Sequence, residues 1–198
     1  MFYNKRSRRL QDRFDTRRLA DRIEERLVGS QIEDEDRAFI EARDMLFMAT
    51  VDDRGHVNCS YKGGDPGFVR VIDPQTIVFP NYDGNGMYLS TGNLEQNPNV
   101  GLLFIDFEDP SRLRLNGRAE LVFGGPLVAA YPGAQFVVKV TVREIFPNCR
   151  RYIHRMQLVE RARHVPRKAE PTPKAEWKQE PSYADVLPAG DSSRPGSP

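Results

Sequence analysis

The residues best suited to chemistry gather in Asn81-Tyr82-Asp83-Gly84-Asn85-Gly86-Met87-Tyr88-Leu89-Ser90-Thr91-Gly92-Asn93, a polar stretch that feeds a short helix ahead of Asn97-Pro98. Backbone amides left free where such a helix begins, with the Asn85, Ser90 and Thr91 side chains beside them, make a cradle for an anion, and phosphate is the obvious guest. The same composition also suits a plain β-to-α connection rich in turn formers. A second glycine-rich loop, Lys62-Gly63-Gly64-Asp65-Pro66-Gly67, leads into Arg70, which sits among Val69, Val71 and Ile72. A buried arginine there requires an anionic partner, and phosphate matches its forked donors; pairing with Asp65 or Asp73, or a solvent-facing position, would satisfy it equally.

Strand alternation sorts the remaining polar groups. Asn58, Ser60 and Lys62 share one face of their strand and Val57, Cys59 and Tyr61 the other. Arg112, Arg114, Asn116 and Arg118 fall on one side of theirs, opposite Leu113, Leu115, Gly117 and Ala119. No paired carboxylates, metal-ligand cluster or glycine-flanked serine elbow accompanies them. His56, His154 and His164 are scattered, and Cys59 and Cys149 lack the C-x-x-C spacing of a redox pair. A phosphate cradle without catalytic groups of its own implies that a bound cofactor performs the chemistry.

These groups need a scaffold, and the hydrophobic pattern supplies one. Lys5 to Leu27 reads as an amphipathic helix with interleaved charges that pair internally, and Asp34 to Asp44 as a second with an acidic first turn. Strands follow at Met45–Val51, His56–Lys62, Phe68–Ile72, Thr76–Pro80, 100–107, 112–123 and 135–145, with turns at Asp52-Asp53-Arg54-Gly55 and Asp73-Pro74-Gln75. That pattern predicts a mainly β fold with flanking helices, an antiparallel barrel closed or nearly closed to hide its edges. Pro147 to Arg163 reads as a further helix. From His164 the chain turns proline-rich, so residues 164–198 are expected to be extended and partly disordered, Asp191 to Pro198 mobile, with Trp177 as an anchor. The organisation expected is a helical extension over 1–44, a barrel over 45–146, a helix over 147–163 and a tail over 164–198.

The chain's 198 residues suffice for one core with extensions, and a net charge of +1 gives no reason to expect a nucleic-acid partner. No apolar run approaches the roughly 20 residues of a membrane span, and no secretory signal is recognisable, so the expected setting is a reducing cytoplasm.

Several segments together resemble the FMN-binding split barrel of the pyridoxamine 5′-phosphate oxidase-like family. They are Phe47-Met48-Ala49-Thr50-Val51 with Gly55, Asn58 through Val71, Gly84-Asn85-Gly86 through Ser90, Gly92-Asn93, Asn97-Pro98 with Gly101-Leu102-Leu103-Phe104, and Arg114-Leu115-Asn116-Gly117-Arg118-Ala119. The resemblance implies a homodimer with FMN in a groove between subunits, and an oxidoreductase acting with a small-molecule substrate or reductant. It assigns flavin contacts to Asn58, Ser60 and Lys62, phosphate contacts to Arg70 and to Asn85, Gly86 and Ser90 with Asn93 nearby, and a polar contact to Arg112 or Arg114. Where pyridoxamine phosphate oxidases carry Ser-Arg-Lys in the phosphate loop, this chain has Tyr88-Leu89-Ser90, and their C-terminal substrate segment is not recognisable. The oxidase-related FMN-binding subgroup therefore fits better than the oxidase itself. A non-catalytic flavin-binding module, or a barrel that takes deazaflavin or haem, stays open, because one fold hosts several functions.

Overall fold

The computed structural model describes residues 2–194. Its seven strands are β1 Met45–Val51, β2 Val57–Gly63, β3 Arg70–Asp73, β4 Thr76–Tyr82, β5 Asn99–Asp106, β6 Ser111–Val122 and β7 Ala134–Pro147. Every pairing is antiparallel, in the order β2-β1-β5-β6-β7-β4-β3. The helices are α1 Lys5–Arg13, α2 Arg17–Leu27, α3 Asp34–Glu41, α4 Leu89–Gln96 and α5 Gly125–Ala129. The sheet curls into a split barrel in which β2 and β3, at the two ends of the order, are not paired with each other.

Alternation builds the interior. Leu46 and Met48 of β1, Ile77 and Phe79 of β4, Phe104 of β5, Leu115 of β6, and Val138 and Val140 of β7 form one buried cluster, and Ile40 of α3 joins it. The outward partners on β6, Arg114 and Arg118, stay exposed. The β1–β2 hairpin turns where expected, because the Asp52 carboxylate accepts from the His56 and Arg54 amides at 2.8 and 2.9 Å while Gly55 takes the left-handed conformation. Those bonds, the His56 amide first, hold the Asp52 carboxyl down to about 2. β6 and β7 approach so closely at a bulge beside Asn116 that a Cβ on Gly117 would lie 2.3 Å from the Thr141 carbonyl oxygen. No other residue fits there.

Several elements differ from expectation. The helix read over Lys5 to Leu27 is two, broken where Asp15 adopts a left-handed backbone, which a short polar side chain tolerates. The halves fold back on each other through Arg8, which meets Asp21 at 2.5 Å and Glu24 at 3.4 Å, and through the Tyr3 hydroxyl, which donates to the Ala20 carbonyl. Of that helix's apolar positions only Ala20 is buried; Leu19, Ile23 and Leu27 remain exposed. β3 starts two residues later than Phe68, although Phe68 and Val69 are already buried, and α5 was not anticipated.

The helix expected over Pro147 to Arg163 does not form: β7 continues to Pro147 and residues 148–163 are irregular. Their apolar residues never complete a stripe that the barrel could bury, and Val159 is 95% exposed. The backbone donors go elsewhere, the Met156 amide to the Phe107 carbonyl at 2.8 Å and the Leu158 amide to the Glu108 carboxylate. Within the tail, 3₁₀ turns cover Glu176–Gln179 and Pro181–Tyr183, and Asp191 makes defined bonds; of the stretch expected to be mobile, residues 195–198 lie outside the described residues. Among the described residues no helix is long and apolar enough to cross a membrane.

The tight contact at Gly117 yields a direct test. Gly117→Ala forces β6 from β7 and is expected to cost about 1–3 kcal/mol, read as a lowered urea midpoint; an unchanged midpoint would show that the two strands can separate freely.

Candidate functional site

β2 is an edge strand paired with β1, and alternation turns one of its faces inward and the other outward. Asn58, Ser60 and Lys62 are half-buried, whereas Val57, Cys59 and Tyr61 are exposed. Across from them the chain leaves β4 at Tyr82, turns through Gly84, Asn85 and Gly86, and enters α4. The two sides enclose a crevice of about 260 Å³ that gathers Asn58, Ser60, Lys62, Asn85, Gly86 and Ser90, six residues singled out from sequence. Cys59, Asn81, Tyr82, Gly84, Met87, Tyr88, Leu89 and Thr91 complete its walls.

The crevice is suited to an anion. Tyr88, the residue before α4, holds a left-handed backbone with φ 48° and no side chain caps the helix, so the amides of its first turn keep their positive end free of any side-chain acceptor. The Asn85 side chain shapes the loop by accepting from the Met87 amide at 3.1 Å. The Ser90 hydroxyl and the Asn58 amide have no internal partner among the described residues, and Ser60 makes only a long bond, 3.5 Å, to the Met48 carbonyl. Lys62 completes the set: its ammonium has neither ion pair nor hydrogen bond among the described residues, and burial pushes its pKa below the ordinary lysine value. A half-buried cation without a counter-ion is unfavourable by itself and is relieved by an anion from outside.

Other sequence candidates lie elsewhere. Asn93 spends its amide on Thr50 Oγ1 at 3.1 Å, pinning α4 to β1. Arg70 is exposed on β3, its guanidinium 4.3 Å from the Tyr131 ring and donating to the Gly67 and Ala130 carbonyls. It pairs with neither Asp65 nor Asp73. Arg112 and Arg114 face a separate cavity of about 370 Å³ on the outer side of the sheet, with Phe47, Ala49, Cys59 and Gly101. There Arg112 donates from Nη2 to Asn148 Oδ1 at 2.8 Å while its buried Nε has no partner, and Arg114 lies over the Phe146 ring. Within one chain the two arginines cannot share the crevice of Lys62.

The tail adds a residue with no sequence signal. Lys178, only 6% exposed, meets Asp83 of the crevice loop at 2.5 Å and Asp191 at 2.6 Å. Arg167 grips Asp65 of the glycine-rich loop at 2.7 Å, and Arg161 reaches Asp44. Trp177, the expected anchor, remains 38% exposed against Tyr183, so the neighbouring lysine does the anchoring. Among the described residues no group of three or more His, Cys, Asp or Glu is placed to hold a metal ion.

A family model for pyridoxamine 5′-phosphate oxidase matches residues 32–149, which hold all seven strands and every crevice residue. No curated protein matches the chain. Among solved structures it is similar to HupZ of Group A Streptococcus, at 23% identity over 59% of this chain and 93% of that one, with a TM-score of 0.48. An FMN-binding protein of Syntrophomonas wolfei matches at 13% identity over 71% and 97% of the two chains, TM-score 0.46. HutZ, the haem storage protein of Vibrio cholerae, matches at 21% over 59% and 94%, TM-score 0.43.

Two measurements probe this geometry. An anion favours the protonated Lys62, so the affinity for sulfate, which stays a dianion throughout this range, should hold steady below the lowered Lys62 pKa and fall as pH rises through it; Lys62→Met should bind about tenfold more weakly with that pH step abolished, and a step that persists would assign the titration to another group. Lys178→Ala should free the tail, raising the rate of tryptic cleavage beyond residue 148 several-fold while the barrel stays intact, as expected where local opening governs proteolysis.

Proposed function

Since the chain belongs to the pyridoxamine 5′-phosphate oxidase family, we propose that it binds FMN as a homodimer and serves as a flavin-dependent oxidoreductase for a small-molecule substrate. The observation that carries this reading is Lys62, a half-buried, unpartnered ammonium facing the uncapped start of α4 across the crevice. Those are the groups a phosphate monoester needs: a cation, free amides, and the Ser90 hydroxyl. The residues therefore fit the cofactor.

In this reading Lys62 and the first turn of α4 neutralise the phosphate, Asn85 and Gly86 shape the loop around it, and Asn58 and Ser60 offer an amide and a hydroxyl to the flavin. Bound FMN supplies hydride and electron transfer. The chain's own task is positioning and the exclusion of water. Arg112 and Arg114 lie on the other side of the sheet, so in this reading they reach the flavin from a second copy of the chain, across a groove shared between subunits.

The purified protein should be a yellow dimer with the absorption bands of FMN, bleached by a suitable reductant; a colourless protein that takes up deazaflavin instead would replace the cofactor and keep the site. Sharing is tested by pairing variants. Lys62→Met and Arg114→Ala homodimers should each bind FMN about tenfold more weakly, whereas a heterodimer of the two retains one undamaged groove and should bind about one FMN with wild-type affinity. A heterodimer as weak as its parents would place both residues in the same subunit's site, and homodimers of undiminished affinity would place neither in any.

A further inference from the structure

A further groove, of about 410 Å³, lies between α4 and the end of the sheet where β6 stops and β7 begins. Three aromatic rings make its wall. Phe136 is buried at the centre, with Phe123 5.1 Å away and tilted by 46°, and Tyr88 6.3 Å away and tilted by 36°. Phe123 is 66% exposed, so its ring faces the open groove at a cost that a fold alone would have no reason to bear. The arrangement is held before any ligand arrives: the Tyr88 hydroxyl donates to Gln135 Oε1 at 3.1 Å, and the same oxygen accepts from the Asn81 amide at 3.1 Å. On the α4 side the lining is Thr91, Gly92 and Glu95, and a Cβ on Gly92 would meet nothing within 4 Å, so that side is open.

Glu95 is the one charged side chain lining this groove, and it has no ion pair or hydrogen bond among the described residues. An aromatic trough presents the negative faces of its rings, and one unpaired carboxylate at the rim adds to that potential. An anion would be repelled on both counts. A neutral aromatic would gain only burial, while a cation on an apolar body gains from rings and carboxylate together.

We propose that the groove of Tyr88, Phe123, Phe136 and Glu95 binds an organic cation, a quaternary or substituted ammonium group. The site is distinct from the phosphate crevice, although Tyr88 and Thr91 belong to both walls, so an occupant here stands next to whatever the crevice holds. The inference does not rest on the flavin reading, because its test uses flavin-free protein.

The probe is benzyltrimethylammonium, titrated into flavin-free protein by calorimetry or by following the aromatic resonances, with benzyl alcohol as the neutral control. The cation should bind about tenfold more tightly than the alcohol; Glu95→Gln should weaken it about threefold, and Phe123→Ala by a comparable or larger factor, with no change in the alcohol's binding for Glu95→Gln. Glu95 is an exposed helix residue, so its amide variant folds and keeps the test decisive if Phe123→Ala does not. Equal binding of cation and alcohol, or a Glu95→Gln protein with undiminished cation affinity, would overturn the proposal. Loss of FMN binding in the same preparation would count against the flavin reading alone.

Discussion

The curl of a single sheet is the constraint on which the molecule depends. β2 and β4 stand far apart in the strand order, separated by β1, β5, β6 and β7, yet β2 and the loop that leaves β4 form the two walls of one crevice. They meet only because the sheet bends back on itself, and β6 and β7 press together at the bulge beside Gly117. Bulges increase local twist, and a glycine at such a point removes the side chain that would hold the strands apart. Flatten that pairing and the cation on β2 no longer faces the start of α4.

The same curl explains why polar residues on neighbouring strands have different fates. Alternation turns Asn58, Ser60 and Lys62 towards the crevice, and it turns Arg112 and Arg114 to the outside. A sheet has two faces and a side chain cannot change from one to the other without a shift in register. A ligand held by both sets would have to take them from two copies of the chain, as the proposed shared groove supposes.

Charge fastens the parts that hydrophobic burial does not. The tail buries little apolar surface, but Lys178, Arg167 and Arg161 fix it to Asp83, Asp65 and Asp44. Lys178 is the costly member, since a lysine so deeply buried is tolerated only with carboxylates on both sides. Because Asp83 lies in the loop that walls the crevice, the position of the tail and the shape of that loop are mechanically joined. The N-terminal hairpin is held by the same means, through Arg8 against Asp21 and Glu24.

By itself the sequence determined the barrel's strands and most of one crevice wall. Met45–Val51 was legible to the residue and the Asp52–Gly55 turn was legible too, because period-two burial and turn chemistry are local properties of a chain. Asn85 to Ser90 was legible as a polar loop leading into a helix start for the same reason, since turn formers ahead of a helix are a local signal. Tertiary structure alone decided which of these groups meet. Arg70 settled on Tyr131 and Asn93 on Thr50, because partners distant in sequence claimed them, and only the curl of the sheet decided that the face carrying Arg112 and Arg114 lies away from the crevice. The break at Asp15, the absent helix after Pro147 and the burial of Lys178 were equally illegible: each rests on a competition between helix formation and contacts with remote segments, and local spacing carries no term for those contacts.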